Sequence, residues 1–154
     1  WESLDHAARA VSLEGGYRLV GLPAKPWLRA GWSLGSGDDD PDDGDHGTFY
    51  QVLPTARLYA LTPFYNMMNN DDLFVQLLLA PREGLSLRLD WHHLRVTEDE
   101  DLAYAGAGAT MNGPVFGYAG FPAQGRRGLA NLVDVSIDWA LSPHWKLGVY
   151  YGHA

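Results

Sequence analysis

The chain has no cysteine. That excludes a disulfide framework, a thiolate metal site and a dithiol redox pair. It also suits an oxidising compartment, where a stray thiol is a liability. Long apolar runs are missing too, and nothing approaches the roughly 20 residues a membrane-spanning helix needs. Membrane β-strands escape this test, because about 9–11 alternating residues suffice. Positive charge is scarce: 11 Lys and Arg stand against 19 Asp and Glu, a net charge of −8. Six of those acids lie between Asp38 and Asp45. Without that run the chain is close to neutral, so no nucleic-acid partner is implied.

What remains is rich in glycine (18) and tryptophan (6), with 46% hydrophobic residues. Many turns and aromatic-rich strands fit this better than a helical bundle. The length, 154 residues, suits one domain over residues 1–154. The chain opens on Trp1 and closes on Gly152-His153-Ala154 inside a strand-like pattern, which reads as a piece of a longer protein.

Alternation carries the fold reading. His6 to Val20 alternates from Val11 onward, with Val11, Leu13, Tyr17 and Leu19 on one face and Glu14 and Arg18 on the other. Gly21 to Pro26 is a turn. Trp27 to Leu34 sets Leu28, Ala30, Trp32 and Leu34 against Arg29, Gly31 and Ser33. Leu73 to Ala80 is a short apolar strand, and Pro81 to Gly84 a tight turn. Leu85 to Val96 sets Leu85, Leu87, Leu89 and Trp91 against Ser86, Arg88, Asp90 and His92. Its pattern slips at His93-Leu94, as a bulge or a membrane boundary would cause. Leu129 to Leu141 and Trp145 to Tyr151 alternate likewise, joined by the turn Ser142 to His144. Two long connections remain, 35–72 and 97–128.

Connections therefore run short, long, short, long, short. In an up-and-down meander all the short turns then lie at one end and all the long loops at the other, as in outer-membrane barrels. One face is apolar and tipped with Trp27, Trp32, Trp91, Trp139 and Trp145, as interfacial girdles are. The expected fold is all-β: an antiparallel up-and-down transmembrane β-barrel. A soluble β-barrel binding module would alternate too, but with its apolar face inside.

Four groups of residues invite chemistry. The polar face offers Arg18, Arg29, Arg88 and Lys146, interleaved with Glu14, Asp90, His92, Asp134 and Asp138. If this face lines a pore, the guanidinium forks suit carboxylates; otherwise the charges pair across strands and stiffen the wall. The acidic run suggests a Ca2+ ion on Asp38, Asp40 and Asp43. It is no EF-hand, since with Gly44 at the glycine position the third position is Pro41 and the last Tyr50. A solvated loop is the favoured reading, and no other cofactor is expected. Thr48 to Asn70 holds Phe49, Tyr50, Tyr59, Phe64, Tyr65, Met67 and Met68, which must pack on something; as a constriction it would make Arg57 a pore contact. Asp90 and His92 share a face and could form an acid–base dyad, but no Ser or Cys nucleophile motif such as G-x-S-x-G is read beside them and no enzyme is expected.

One block is more specific than the strands. Lys25-Pro26, Gly31, Gly35-Ser36-Gly37-Asp38-Asp39-Asp40-Pro41, Asp43-Gly44, His46-Gly47-Thr48-Phe49, Leu53-Pro54-Thr55, Tyr59, Pro63-Phe64-Tyr65-Asn66 and Asn69 resemble the alginate-export family of outer-membrane porins. Leu85-Ser86-Leu87-Arg88, Leu94-Arg95, Asp101-Leu102 and Trp145 to Ala154 are similar as well. The resemblance implies a monomeric, roughly 18-stranded barrel in the Gram-negative outer membrane, with about six strands here. It implies an Arg-rich conduit for an anionic polysaccharide, alginate first of all. Outer-membrane lipid, lipopolysaccharide and periplasmic secretion components would be its partners. A general porin for small solutes is the alternative.

Overall fold

The computed structural model describes residues 5–51, 66–105 and 119–154. Among them every regular element is a strand. Six strands form the main sheet: β2 (Ala10–Arg18), β3 (Trp27–Gly35), β5 (Asn70–Arg82), β6 (Leu85–Arg95), β9 (Gly128–Ser142) and β10 (Trp145–His153). They lie in the order β10-β9-β6-β5-β3-β2, and each neighbouring pair is antiparallel. This is a pure meander with β2 and β10 at its edges.

Three short strands lie in the long connections and a fourth precedes β2. β1 (Asp5–His6) pairs in parallel with β4 (Asp45–His46), and β7 (Leu102–Ala105) pairs with β8 (Ala119–Pro122). The first predicted strand, His6 to Val20, is thus two pieces. Residues between them leave the sheet, and the Arg9 amide donates to Ser36 Oγ at 2.9 Å.

The turns follow local chemistry. Glu83-Gly84 closes the β5–β6 hairpin with Gly84 at φ 73°, a conformation favoured by glycine. At the β9–β10 turn Ser142 Oγ accepts from the His144 and Trp145 amides, each at 3.2 Å. Strand β5 begins at Asn70, earlier than the apolar run suggests, because Asn70, Asp71 and Asp72 pair with β3 despite their polarity. It ends beyond Pro81, at a register shift between Leu79 and Arg82, where a proline is tolerated.

Burial tells the two faces apart. Leu13, Leu28, Leu73, Val75, Leu89, Trp91, Val135, Leu147 and Val149 are all exposed, while Ser33, Asp72, Gln76, Asp90, His92 and Asp134 are buried. A soluble sandwich does the opposite, because its apolar face is the one removed from water. Here the apolar face is the outside of the sheet and the polar face the inside.

The outer apolar band has edges. Arg82 lies 4.6 Å over the Trp139 ring at the short-turn end. At the long-loop end Trp32 Nε1 donates to Asp71 Oδ1 at 2.7 Å, Asp71 pairs with Arg95 at 2.5 Å, and Trp91 stacks on His93. From Leu85 to His93 the strand rises about 26 Å, or about 20 Å along a barrel axis at ~40° tilt. That is close to the ~25 Å band of outer-membrane barrels. The predicted slip at His93-Leu94 is one of residue type and not of strand geometry. Alternation continues: Leu94 joins the buried inner face and His93 the outer rim, and the register shift falls one residue later, between Leu94 and Arg95.

Candidate functional site

The inner face is a set of rows across the strands, fixed by register. Nearest the long loops are Ser12, Ser33, Asp72, Leu94 and Ala130. Below lie Glu14, Gly31, Phe74, His92 and Leu132, then Gly16, Arg29, Gln76, Asp90 and Asp134. The last full row is Arg18, Trp27, Leu78, Arg88, Ser136 and Tyr150. Asp138 and Lys146 follow toward the short turns.

Sequence reasoning put these polar side chains on one face, and the structure brings them together there. It also sorts them. Arg29 donates to Glu14 Oε2 and to Gln76 Oε1, both at 2.6 Å. Arg88 is ion-paired with Asp90 on its own strand. Tyr150 OH donates to Asp134 Oδ1 at 2.5 Å. Arg18 lies 4.7 Å over the Trp27 ring, and Arg29 lies 5.1 Å from the same ring. Trp27 is therefore an inner-face residue and no part of the outer girdle, as its parity with Arg29 requires. Arg18 and Lys146 have no ion pair among the described residues. Arg57 lies outside the described residues, as do Tyr59, Phe64 and Tyr65.

The Asp90–His92 dyad does not form. His92 Nδ1 instead meets Asp72 across the β5–β6 seam, at 2.9 Å to Oδ2 and 3.1 Å to Oδ1, and both side chains are fully buried. The His92 ring stacks on Phe74 at 5.6 Å, and Phe74 covers Gly31, where a Cβ would come 2.6 Å from its ring. Glycine leaves the space that the aromatic ring fills.

A motif passed over in the sequence reading belongs here. Gly31-Trp32-Ser33-Leu34-Gly35 spells G-x-S-x-G. The nucleophile elbow of hydrolases is a strand-to-helix turn that exposes its serine. This string runs straight through β3, and Ser33 is buried and bonded to Ser12 Oγ at 2.8 Å. Ser33 is the register partner of Asp72, so a serine, an aspartate and a histidine gather on the inner face. They sit in a closed environment with no elbow geometry, and the set reads as wall packing.

The described ends of the long connections turn inward over the upper rows. The Met67 carbonyl occupies the inner side of Gly35, so that a Cβ there would lie 1.6 Å from its oxygen. Two side chains tie the loops together. Asn69, at φ 47°, donates to the Glu98 and Leu102 carbonyls at 2.8 and 3.0 Å and accepts from the Glu98 amide at 2.8 Å. Asp101 accepts from the Asp38 amide, Thr48 Oγ1, the Leu102 amide and Tyr104 OH, at 3.1, 2.6, 2.6 and 3.1 Å. Sequence reasoning gave neither residue this role, because the partners of Asn69 and two of those of Asp101, Asp38 and Thr48, are 29 to 63 positions away.

The acidic run is partly used by the backbone. Asp40 Oδ1 accepts from the Asp42 amide at 3.1 Å and Asp43 Oδ1 from the Asp45 amide at 2.8 Å, while Asp38 is buried beside Asp101. No three acidic or histidine side chains among the described residues are grouped to hold a metal ion.

Burial pushes the Tyr104 phenol well above its ordinary range, and the neighbouring Asp101 carboxylate adds to the effect. A folded-state value above the unfolded one favours the neutral phenol. Its contribution is complete below about pH 10 and is lost as pH rises through the folded value. A phenolate absorbance titration of the wild type minus Tyr104→Phe should therefore show one tyrosine ionising only after the exposed ones. Ionisation of that residue near pH 10 would contradict the buried contact.

A family model described as alginate export matches residues 2–154 of the chain. No curated protein and no solved structure matches it.

Proposed function

Since the chain belongs to the alginate-export family, a family of polysaccharide transport and not of enzymes, we propose that its six-stranded sheet is part of the wall of an outer-membrane conduit for an anionic polysaccharide, alginate being the first candidate. The exposed apolar face meets lipid. The polar face lines water. The observation that carries this reading is the inverted burial: leucines, valines and tryptophans exposed outside, carboxylates buried inside with Arg29 and Arg88 partly buried among them.

Bond chemistry is not required of such a wall. Transport needs contacts weak and numerous enough that no single site traps the polymer. The ion pairing divides the work between two kinds of cation. Arg29 and Arg88 are held by Glu14, Gln76 and Asp90, so they act as fixed parts of the field. Arg18 and Lys146 lie near the short-turn end and are the ones that would greet a uronate entering from the periplasmic side.

Pairing of Arg29 and Arg88 also favours a second reading, a general porin for small solutes, because neutralised cations attract polyanions weakly. Planar-bilayer conductance of the intact protein separates the two. Polymannuronate should block it in the millimolar range, and replacing Arg18 and Lys146 by Gln should weaken the block by about 2–5-fold per residue, the worth of a solvent-screened contact. An unblocked conductance would remove alginate from the proposal and leave the general porin.

A further inference from the structure

The last inner-face row before the short turns holds a tryptophan set between cations. Trp27 is the cross-strand partner of Arg18 on β2 and of Leu78 on β5. Its indole lies across Gly16, where a Cβ would come 2.7 Å from Nε1, so the glycine leaves the ring its place. The Arg18 guanidinium lies 4.7 Å over that ring. Stacking uses the flat face of a guanidinium and leaves its in-plane N–H donors for another partner. Arg29 flanks the ring as well, but it donates to Glu14 and Gln76.

Lys25 joins this row from the turn between β2 and β3. Ala24 and Lys25 both have left-handed backbone, at φ 61° and 44°, which neither side chain favours. The Ala24 carbonyl accepts from the Ala80 amide and the Pro26 carbonyl from the Leu19 amide, each at 2.7 Å, so the turn is fastened to the end of β5 in that conformation. Residues held in such backbone gather at ligand sites. Arg18, Lys25, Trp27, Leu78 and Ser86 border one cavity of about 240 Å³. Neither cation has an ion pair among the described residues. None of the described residues around this cavity is acidic. A neighbouring cavity of about 410 Å³ differs, since Asp90, Asp134 and Asp138 border it beside Arg88. A carboxylate would meet like charge there, whereas the described charges at the Trp27 cavity are positive.

We propose that Arg18, Lys25 and Trp27 form a docking subsite for one uronic-acid residue at the short-turn mouth. The Arg18 fork takes the carboxylate through two parallel N–H donors, and the Lys25 ammonium adds a point charge. Leu78 and the indole meet the C–H face of the sugar ring. Ser86 supplies a hydroxyl that donates to or accepts from those of the sugar. An inorganic anion would use only the cations and a neutral sugar only the rest, so the combination selects a sugar acid. Both cations are exposed, so each contact is weak and the chain is released again. The inference deepens the conduit reading and rests on it for the polymer to which the sugar belongs.

Fluorine NMR of the intact protein in lipid nanodiscs, labelled with fluorotryptophan, tests the subsite without any transport. Trp27→Phe identifies the Trp27 signal by its loss. Trimannuronate should move that signal saturably in the millimolar range, and maltotriose or acetate at the same concentration should move it much less. Arg18→Gln and Lys25→Gly should each raise the midpoint about 2–5-fold. Glycine suits the left-handed backbone at Lys25, so this variant removes the charge without straining the turn. A signal unmoved by trimannuronate overturns the proposal. So does one moved equally by maltotriose or acetate, and so do midpoints unchanged in both variants. Block of conductance by polymannuronate with the Trp27 signal unmoved would keep the conduit and remove the subsite. A Trp27 signal that responds as expected, in a protein whose conductance polymannuronate does not block, would keep the subsite and remove the polysaccharide conduit.

Discussion

Replacing Asp72 by alanine should cost about 1–3 kcal/mol of folding free energy, the cost of leaving a buried hydrogen-bonding group without its partner. Both oxygens of Asp72 lie within 3.1 Å of His92 Nδ1, and neither side chain reaches solvent. Alanine leaves that ring nitrogen without its acceptor in a site where no water replaces it. It also opens space beside Phe74, whose ring lies against both His92 and Gly31. Asp72→Asn keeps the shape and one oxygen acceptor, so it should lose clearly less. Urea unfolding of the intact protein in lipid vesicles measures both, with an unchanged slope marking a change in stability and not in compactness. A loss under about 1 kcal/mol for the alanine variant would mean that the pair does not hold the wall together.

Asp72 also shows where sequence reasoning stops. Its neighbours Asn69, Asn70 and Asp71 are polar, so the stretch looks like loop, and the strand is legible only from Leu73. Period 2 places the side chains of Leu85 to His92 on their correct faces, which is why those inner and outer sets could be written from sequence. It cannot say which strand supplies the partner. Asp90 and His92 are two positions apart on one strand, so the sequence suggests a dyad. Asp72 reaches His92 from the next strand, where cross-strand and diagonal neighbours are as close or closer. Alternation alone could not give the inversion of burial, because it is the same for a sandwich and a barrel; the asymmetric loop lengths and the tryptophan-tipped apolar face carried that expectation. The G-x-S-x-G string illustrates the opposite error. The letters are present, but the straight strand around Ser33 denies them the turn that gives the motif its meaning.

Gly35→Ala should release the first long connection from the wall while leaving the strands in register. The new Cβ would sit 1.6 Å from the Met67 carbonyl oxygen and 2.8 Å from its carbon. Those are backbone atoms, so no rotamer change relieves the clash and the chain itself must move. Met67 is not free to shift alone. Its amide donates to Gln51 Oε1 at 2.8 Å, and the adjacent Met68 and Asn69 are tied to Asn66, Glu98 and Leu102. Gly35 itself accepts from Thr97 Oγ1 at 2.7 Å, so the second connection is strained by the same methyl. The expected cost exceeds the about 1–3 kcal/mol of ordinary overpacking. Its outcome differs from the Asp72 case in kind. The β3–β5 pairing ends at Gly35 and Asn70, so the ladder below survives and the loss appears as local opening. Limited proteolysis should cut the connection at residues inside 36–69 much faster than in the wild type. If the inward-turned loop narrows the path, single-channel conductance should rise as well. Gly15→Ala supplies the control, since a Cβ there meets nothing within 4 Å, and it should change stability by less than about 0.5 kcal/mol. Equal protease resistance in Gly35→Ala and Gly15→Ala would show that the Met67 crossing does not fasten the loop, and Asn69 and Asp101 would then have to hold it unaided.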